Sequence, residues 1–227
     1  MSPLRGCCTC CHWGFVIGLG YHYLGRRAAT GNVGLVFGLV SVAFTRLVHI
    51  LRRVLAATVA WSPARPLIGG LAVIGLTLVV GNREYLGLSL PLAERATAGG
   101  TGIIAGAFAL KLVFTAVTVG AGFQGGEVTP LFVIGATLGV TMARVLEVPI
   151  PLLAAIGFVA VFAGAANTPL ACTVMGAELF GAGAVTLFAI GRVMSYVFSS
   201  HAGIYHTQRV DVPKGPVTLA DQSDRSI

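Results

Sequence analysis

Charged residues are scarce in this sequence. Only 10% of its 227 residues are charged, whereas a soluble domain carries about 25%. Hydrophobic residues make up 56% of the chain, and its mean hydropathy is +0.87. This composition predicts an integral membrane protein in a lipid bilayer, with room for about six to eight membrane segments.

Acidic residues are the rarest charged class, with 8 Asp and Glu against 15 Lys and Arg. The basic side chains are scattered and stand mostly at the ends of apolar runs. That placement suits lipid headgroups and the setting of membrane topology better than a nucleic-acid-binding face. We therefore expect no nucleic-acid partner. Four basic or histidine residues recur at helical spacing on one face of the segment 33–55: Arg46, His49, Arg52 and Arg53.

Cysteine is almost confined to one cluster. Four of the five cysteines lie within residues 7–11, and the fifth is Cys172. Four thiolates so close together cannot readily surround one tetrahedral ion, and no second Cys/His pair stands at zinc-finger spacing, so we expect no metal site. The apolar stretch 15–20 is too short for a signal peptide. We expect residues 1–32 to be an atypical segment, either disordered or a spurious start.

Common enzyme motifs are absent as well. The sequence contains no HExxH, no GxSxG and no P-loop. We therefore expect neither an enzyme nor a cofactor. The remaining enzymatic hypothesis is an intramembrane hydrolase built from Ser195, Ser199 and Ser200 near His201, and it has no motif to support it.

The apolar runs are short and interrupted. Besides 33–55, the expected helical windows are 66–82, 96–110, 112–124, 128–143, 148–177, 179–191 and 193–208. A complete membrane span needs about 20 apolar residues, and most windows are shorter. The long run 148–177 is interrupted by Gly164, Asn167 and Pro169. The pattern predicts an all-α membrane fold of tilted, broken and partly penetrating helices, followed by a polar tail at 212–227.

Two of the interruptions carry the same helix-start signal. "GEVTPLF" (126–132) and "AANTPLA" (165–171) both pass from small residues through Thr-Pro-Leu. Proline at the first helical position after a threonine is typical of a helix start. We predict two helices that begin inside the protein, where irregular backbone is tolerated only if it is buried or lines a cavity. The predicted helix-start residues are Gly125, Gly126, Pro130, Asn167, Thr168 and Pro169.

The first of these helix starts is suited to an anion. The first N–H groups of a helix lack intrahelical partners, and the macrodipole adds partial positive charge. Gly125 and Gly126 would let a ligand approach the backbone closely. Glu127 would compete with an anion when ionised and permit one when protonated. The residues leave an alternative open, in which Glu127 only caps its own helix or faces a water-filled vestibule.

Other polar positions favour structural roles. Glu178 ends a charge-free run and is expected beside Arg192 or water. Tyr205 has a hydroxyl that could donate to an anion, but tyrosine is more often an interfacial residue, and the same holds for His201 and His206.

Both helix starts resemble the CLC family of anion channels and transporters. The resemblance rests on "GAGFQGGEVTPLFVIGATLG" (120–139) and "VFAGAANTPLACTVMGAELFG" (161–181). It is extended by "NREYLGLSLP" (82–91) and "HAGIYHTQRV" (201–210). The family's GxFxP pattern has phenylalanine where this chain has Val128. The GGEVTP form, with its acid at Glu127, is similar to the fluoride-exporting CLC-F branch.

This resemblance implies an activity and a set of roles. It implies fluoride/proton antiport by a homodimer in the plasma membrane of a bacterium, with a chloride channel or chloride/proton exchanger as the alternative. It assigns anion binding to Glu127, Val128, Thr129 and Tyr205, and proton coupling to Glu127. Gly135 and Gly139 would allow close helix packing, either between subunits or within one.

The resemblance covers only the second half of the family's domain, which we place at residues 33–211. The first half bears the gating glutamate in a GREG-type motif, and "NRE" at 82–84 is not that element. We therefore expect a truncated or split transporter whose first half a separate chain would supply. The alternative is a non-functional fragment.

Overall fold

Eight α-helices account for most of the residues that the structure describes. The structure is a computed structural model, and it describes residues 29–59, 61, 64–100, 102–123, 125–181, 183 and 185–199. The helices are α1 (Ala29–Thr58), α2 (Ala64–Val80), α3 (Leu90–Thr97), α4 (Ala107–Gly120), α5 (Val128–Leu146), α6 (Ile150–Ala166), α7 (Pro169–Phe180) and α8 (Val185–Phe198). The predicted all-α fold class is confirmed.

Most helices are too short to cross a bilayer alone. Within the described residues, Val33–Thr58 and Val128–Leu146 are long and apolar enough to do so by length and composition. Five other apolar helices have 10–17 residues. Helix α2 exposes large side chains that would suit lipid or another protein surface, since Leu78 and Val79 are 78% and 85% exposed.

The predicted helical window 96–110 is wrong. The window 96–110 is divided between the end of α3 at Thr97 and the start of α4 at Ala107, with turns between them. Gly99, Gly100 and Gly102 in this segment have positive φ, which other residues rarely adopt. Hydropathy alone therefore mistook a glycine-rich connection for part of a helix.

Two buried cations were mistaken for helix boundaries. The windows were separated at Lys111 and at Arg192, but these residues lie inside α4 and α8 and are 1% and 6% exposed. A charge inside an apolar helix is tolerated when the fold provides polar partners or shields its stem.

Helices α5 and α6 are in backbone contact. A Cβ atom added to Gly135 would clash with the carbonyl oxygen of Gly157, and one added to Gly139 would clash with that of Leu153. Since increasing residue numbers on α5 meet decreasing numbers on α6, the two helices are antiparallel. Phe132 stacks on Phe158 with 4.4 Å between ring centroids. The predicted close packing at these glycines is thus made within one chain.

Antiparallel packing brings the two predicted helix starts to one end of this pair. Helix α5 begins at Val128, and α6 ends at Ala166, just before α7 begins at Pro169. The register of the glycine contacts aligns the beginning of α5 with the end of α6. Helix α1 packs across α4, α6 and α8 and buries Phe37 and Phe44 completely.

The glycine contact gives a test of the fold. We expect Gly139→Ala to lower the free energy of unfolding by about 1–3 kcal/mol, because the new methyl group meets backbone that cannot move aside. The control is Gly75→Ala on α2, where an added Cβ meets nothing within 4 Å. The measurement is thermal unfolding of the purified chain in detergent. Equal melting temperatures for the two variants would contradict the packing.

Candidate functional site

The start of α5 is a helix terminus without a side-chain cap. Glu127 is the N-cap residue, and its side chain makes no capping hydrogen bond. A Cβ added to the preceding Gly125 or Gly126 would meet nothing within 4 Å, so the approach to the terminus is open. Val128 and Thr129 are half-buried in the first turn. The first N–H groups of α5 are therefore not satisfied by the N-cap side chain.

The carboxylate of Glu127 contacts a different helix. Nη2 of Arg52, on α1, donates to Oε1 of Glu127 at 3.0 Å across 75 residues of sequence. The Glu127 side chain is 19% exposed and that of Arg52 is 38% exposed. Sequence reasoning placed Arg52 on a basic face of α1 but missed this pairing, because no local pattern joins two residues so far apart.

The geometry decides against one alternative for Glu127. Its side chain does not cap its own helix, since it makes no capping hydrogen bond and is paired with Arg52.

A cavity of about 280 Å³ lies beside this helix start. Its walls include Gly125, Gly126 and Pro130 from the start of α5, and Thr115 and Thr118 from α4. The two threonine hydroxyls donate to the carbonyl oxygens of residues four positions earlier in α4. These two hydroxyl groups of the cavity wall therefore donate their hydrogen bonds within α4.

Lys111 fixes another wall of this cavity. Its Nζ donates to the carbonyl oxygens of Tyr85 at 3.0 Å and Gly87 at 2.6 Å, and to Oγ of Ser89 at 2.8 Å. Three acceptors match the three N–H donors of an ammonium group, which makes its burial tolerable. Lys111 therefore holds the loop 81–89 against α4. In the sequence, the only sign of this role is that Lys111 is a lone charge inside an apolar run.

The second predicted helix start lies between α6 and α7. Asn167 ends α6 in the left-handed conformation with φ 56°, Thr168 is the N-cap residue of α7, and Pro169 is its first residue. The Thr168 hydroxyl lies 3.5 Å from Sγ of Cys172, and its side chain does not cap α7. This break lies at the same end of the α5–α6 pair as Glu127.

Helix α8 carries a buried arginine. Arg192 is 6% exposed, and its Nε and Nη1 have no hydrogen-bond partner among the described residues. Glu178, which was expected near Arg192 or water, is exposed, and among the described residues it forms no ion pair with Arg192.

The serine cluster of the enzymatic hypothesis is engaged in local hydrogen bonds. Ser195 donates to the carbonyl oxygen of Ala160 at 2.8 Å, and Ser199 donates to that of Tyr196 at 3.0 Å. Ser200, His201, His206 and Tyr205 lie outside the described residues, as do the cysteines of residues 7–11 and the tail 212–227.

Comparison with known proteins agrees with this arrangement of helices. A family model, "Voltage gated chloride channel", matches residues 28–200. The chain belongs to this family. The predicted resemblance to CLC proteins of the fluoride branch is also confirmed. Membership places the chain in a membrane, as its composition predicted.

Two relatives illustrate the likeness. A "Chloride/fluoride channel protein" of Pseudomonas syringae pv. tomato is 45% identical over 183 residues, which cover 78% of this chain and 40% of that protein. The crystal structure of a CLC-type fluoride/proton antiporter matches with a TM-score of 0.76 and 34% identity, over 79% of this chain and 45% of that one. This chain thus spans less than half the length of either relative.

The Lys111 contacts lead to a second prediction. We expect Lys111→Met to leave the acceptors of loop 81–89 unsatisfied and to cost about 2 kcal/mol or more of local stability. Trypsin should then cut after the exposed Arg83 faster than in the unmodified chain. Cleavage after the exposed Arg53 on α1 serves as the internal control. An unchanged ratio of the two cleavage rates would show that Lys111 does not hold the loop.

Proposed function

We propose that this chain supplies half of a fluoride/proton antiport pathway that exports fluoride. The observation that carries the proposal is the uncapped start of α5, with glycines before it and a mostly buried carboxylate at the N-cap. The proposal is further supported by the similarity of this chain to a chloride/fluoride channel protein and to a fluoride/proton antiporter.

Main-chain N–H groups would hold the anion. The amides of Glu127 and Val128 stand at the positive end of α5, and Thr129 adds a hydroxyl in the first turn. Tyr205 would add a second hydroxyl. Fluoride is small and strongly hydrated, so it must exchange its water for several good donors at once. One helix start offers too few, which is why a second set of donors from another half is part of the proposal.

Glu127 would couple the proton to the anion. An ionised carboxylate repels an anion at the same helix start, whereas a protonated carboxyl group does not. Binding of an anion and loss of the proton would then disfavour each other. This opposition is the physical requirement for exchanging one ion against the other.

The proposed assembly rests on the family resemblance and on the partial match to the two relatives. A separate chain would supply the first half, and two complete units would form a homodimer in the plasma membrane of a bacterium, crossing it several times. Helices α7 and α8 expose apolar side chains that would suit such contacts, among them Leu170 at 79% and Val193 at 46%.

Chloride transport is the alternative substrate assignment. It is favoured by the name of the Pseudomonas relative, a chloride/fluoride channel protein. A non-functional fragment is the alternative to transport itself, and it predicts no anion flux under any condition.

The decisive experiment is anion efflux from liposomes at two pH values. The chain is reconstituted alone and together with a polypeptide corresponding to the remainder of the Pseudomonas relative, and fluoride and chloride are each measured with an ion-selective electrode. We expect proton-linked fluoride efflux from the combined preparation. Flux in neither preparation would support the fragment, and chloride flux alone would support the alternative substrate.

The role of Glu127 is tested in the same liposomes. We expect Glu127→Gln to reduce proton-linked fluoride efflux about tenfold, the scale of one lost charge-assisted interaction. The matched control is Glu147→Gln, which changes an exposed acid at the other end of α5. Unchanged efflux and unchanged proton coupling in the Glu127 variant would remove the assigned role.

A further inference from the structure

We propose that Arg52 is a positioning residue, which holds the Glu127 carboxylate away from the N–H groups of α5 and so keeps them open to an anion. This inference rests on the proposed function of the α5 start. It assigns Arg52 a task that differs from that of a general positive charge near the site.

The geometry of the N-cap supports the inference. A carboxylate at a helix N-terminus is attracted by the positive end of the macrodipole and can accept from the unsatisfied N–H groups of the first turn. Glu127 occupies the N-cap and makes no such bond. Its Oε1 instead accepts from Nη2 of Arg52 at 3.0 Å. The carboxylate therefore forms an ion pair with Arg52 instead of a capping hydrogen bond.

Packing fixes Arg52 beside this helix start. Its neighbour Leu51 contacts Gly120, the last residue of α4, so closely that a Cβ on Gly120 would lie 2.6 Å from the Leu51 Cβ. Val48, one turn earlier on α1, is buried in the same core. The chain from Gly120 to Glu127 is a short connection. The glycine at the end of α4 thus brings α1, and Arg52 with it, to the N-cap of α5.

Competition explains what the ion pair achieves. An ionised carboxylate and a free anion carry the same charge and seek the same N–H donors. A carboxylate tethered by covalent bonds has a high effective concentration and would win against a dilute ion. Pairing with Arg52 offers the carboxylate another partner, so the amides stay available. Without Arg52, the Glu127 carboxylate would itself accept from the N–H groups of α5 and would block the anion.

Fluoride binding to the chain combined with the remainder of the Pseudomonas relative tests this idea. We expect Arg52→Gln to raise the dissociation constant for fluoride, measured by calorimetry, roughly fivefold, as for the loss of a partly exposed ion pair. Arg53→Gln is the matched control, because Arg53 is the next residue on α1 and is exposed. Equal affinity in the two variants would overturn the inference.

A double-variant cycle separates positioning from simple charge. If Arg52 acts through Glu127, Arg52→Gln should have no effect on fluoride affinity in a Glu127→Gln background. If it acts only as a positive charge, the loss will be the same in both backgrounds, and the inference is wrong. Melting temperatures in detergent verify that each variant is folded.

Chemical labelling decides the matter even if the combined preparation binds no fluoride, an outcome that would count against the proposed function. A hydrophobic carbodiimide modifies carboxyl groups that are held neither in ion pairs nor by N–H donors, and mass spectrometry locates the product. We expect labelling of Glu127 to stay as low in Arg52→Gln as in Arg53→Gln, because the first N–H groups of α5 take over the carboxylate. A severalfold increase in Arg52→Gln alone would show a free carboxyl group and refute the positioning role.

Discussion

The backbone contact between α5 and α6 is the constraint on which the candidate site depends. Gly135, Gly139 and Gly157 let two helices approach without intervening side chains. In a bilayer, where apolar side chains gain little by leaving lipid, such contact is a main source of helix association. It also fixes register. Because the helices are antiparallel, the contact places the uncapped start of α5 and the break between α6 and α7 at the same end of the pair.

Three cations of the fold are held in different ways. Lys111 donates to two carbonyl oxygens and a hydroxyl, and Arg144 donates to the carbonyl oxygens of Ile103 and Gly100 at 2.6 and 2.8 Å. Those contacts tie loops to helices. Arg52 alone of these three is paired with a carboxylate. Lys111 and Arg144 are thus held by neutral oxygen atoms, whereas the partner of Arg52 is an ionisable side chain.

The elements that could be predicted from the sequence are those with local causes. Thr-Pro-Leu after small residues marks a helix start because proline fits the first helical position. Helix α7 begins at Pro169 as the motif indicates, whereas α5 begins at Val128, two residues before Pro130. Chain segments with distant partners could not be predicted in this way. The acceptors of Lys111 lie 22–26 residues before it, so it resembled a boundary. The prediction for the segment 98–106 was wrong for a different reason, because hydropathy does not reflect the backbone preferences of its glycines.

The ion pair shows most clearly what a local pattern omits. Sequence reasoning identified Glu127 as an acid at a helix start and Arg52 as part of a basic face, but their contact depends on how α1 crosses the end of α4. That crossing is set by the absence of a side chain at Gly120. Once it is in place, the acid and base largely neutralise each other, and the positive end of α5 becomes the uncompensated field at the site. An anion would be attracted by the helix terminus itself, and protonation of one carboxyl group would be enough to alter the balance.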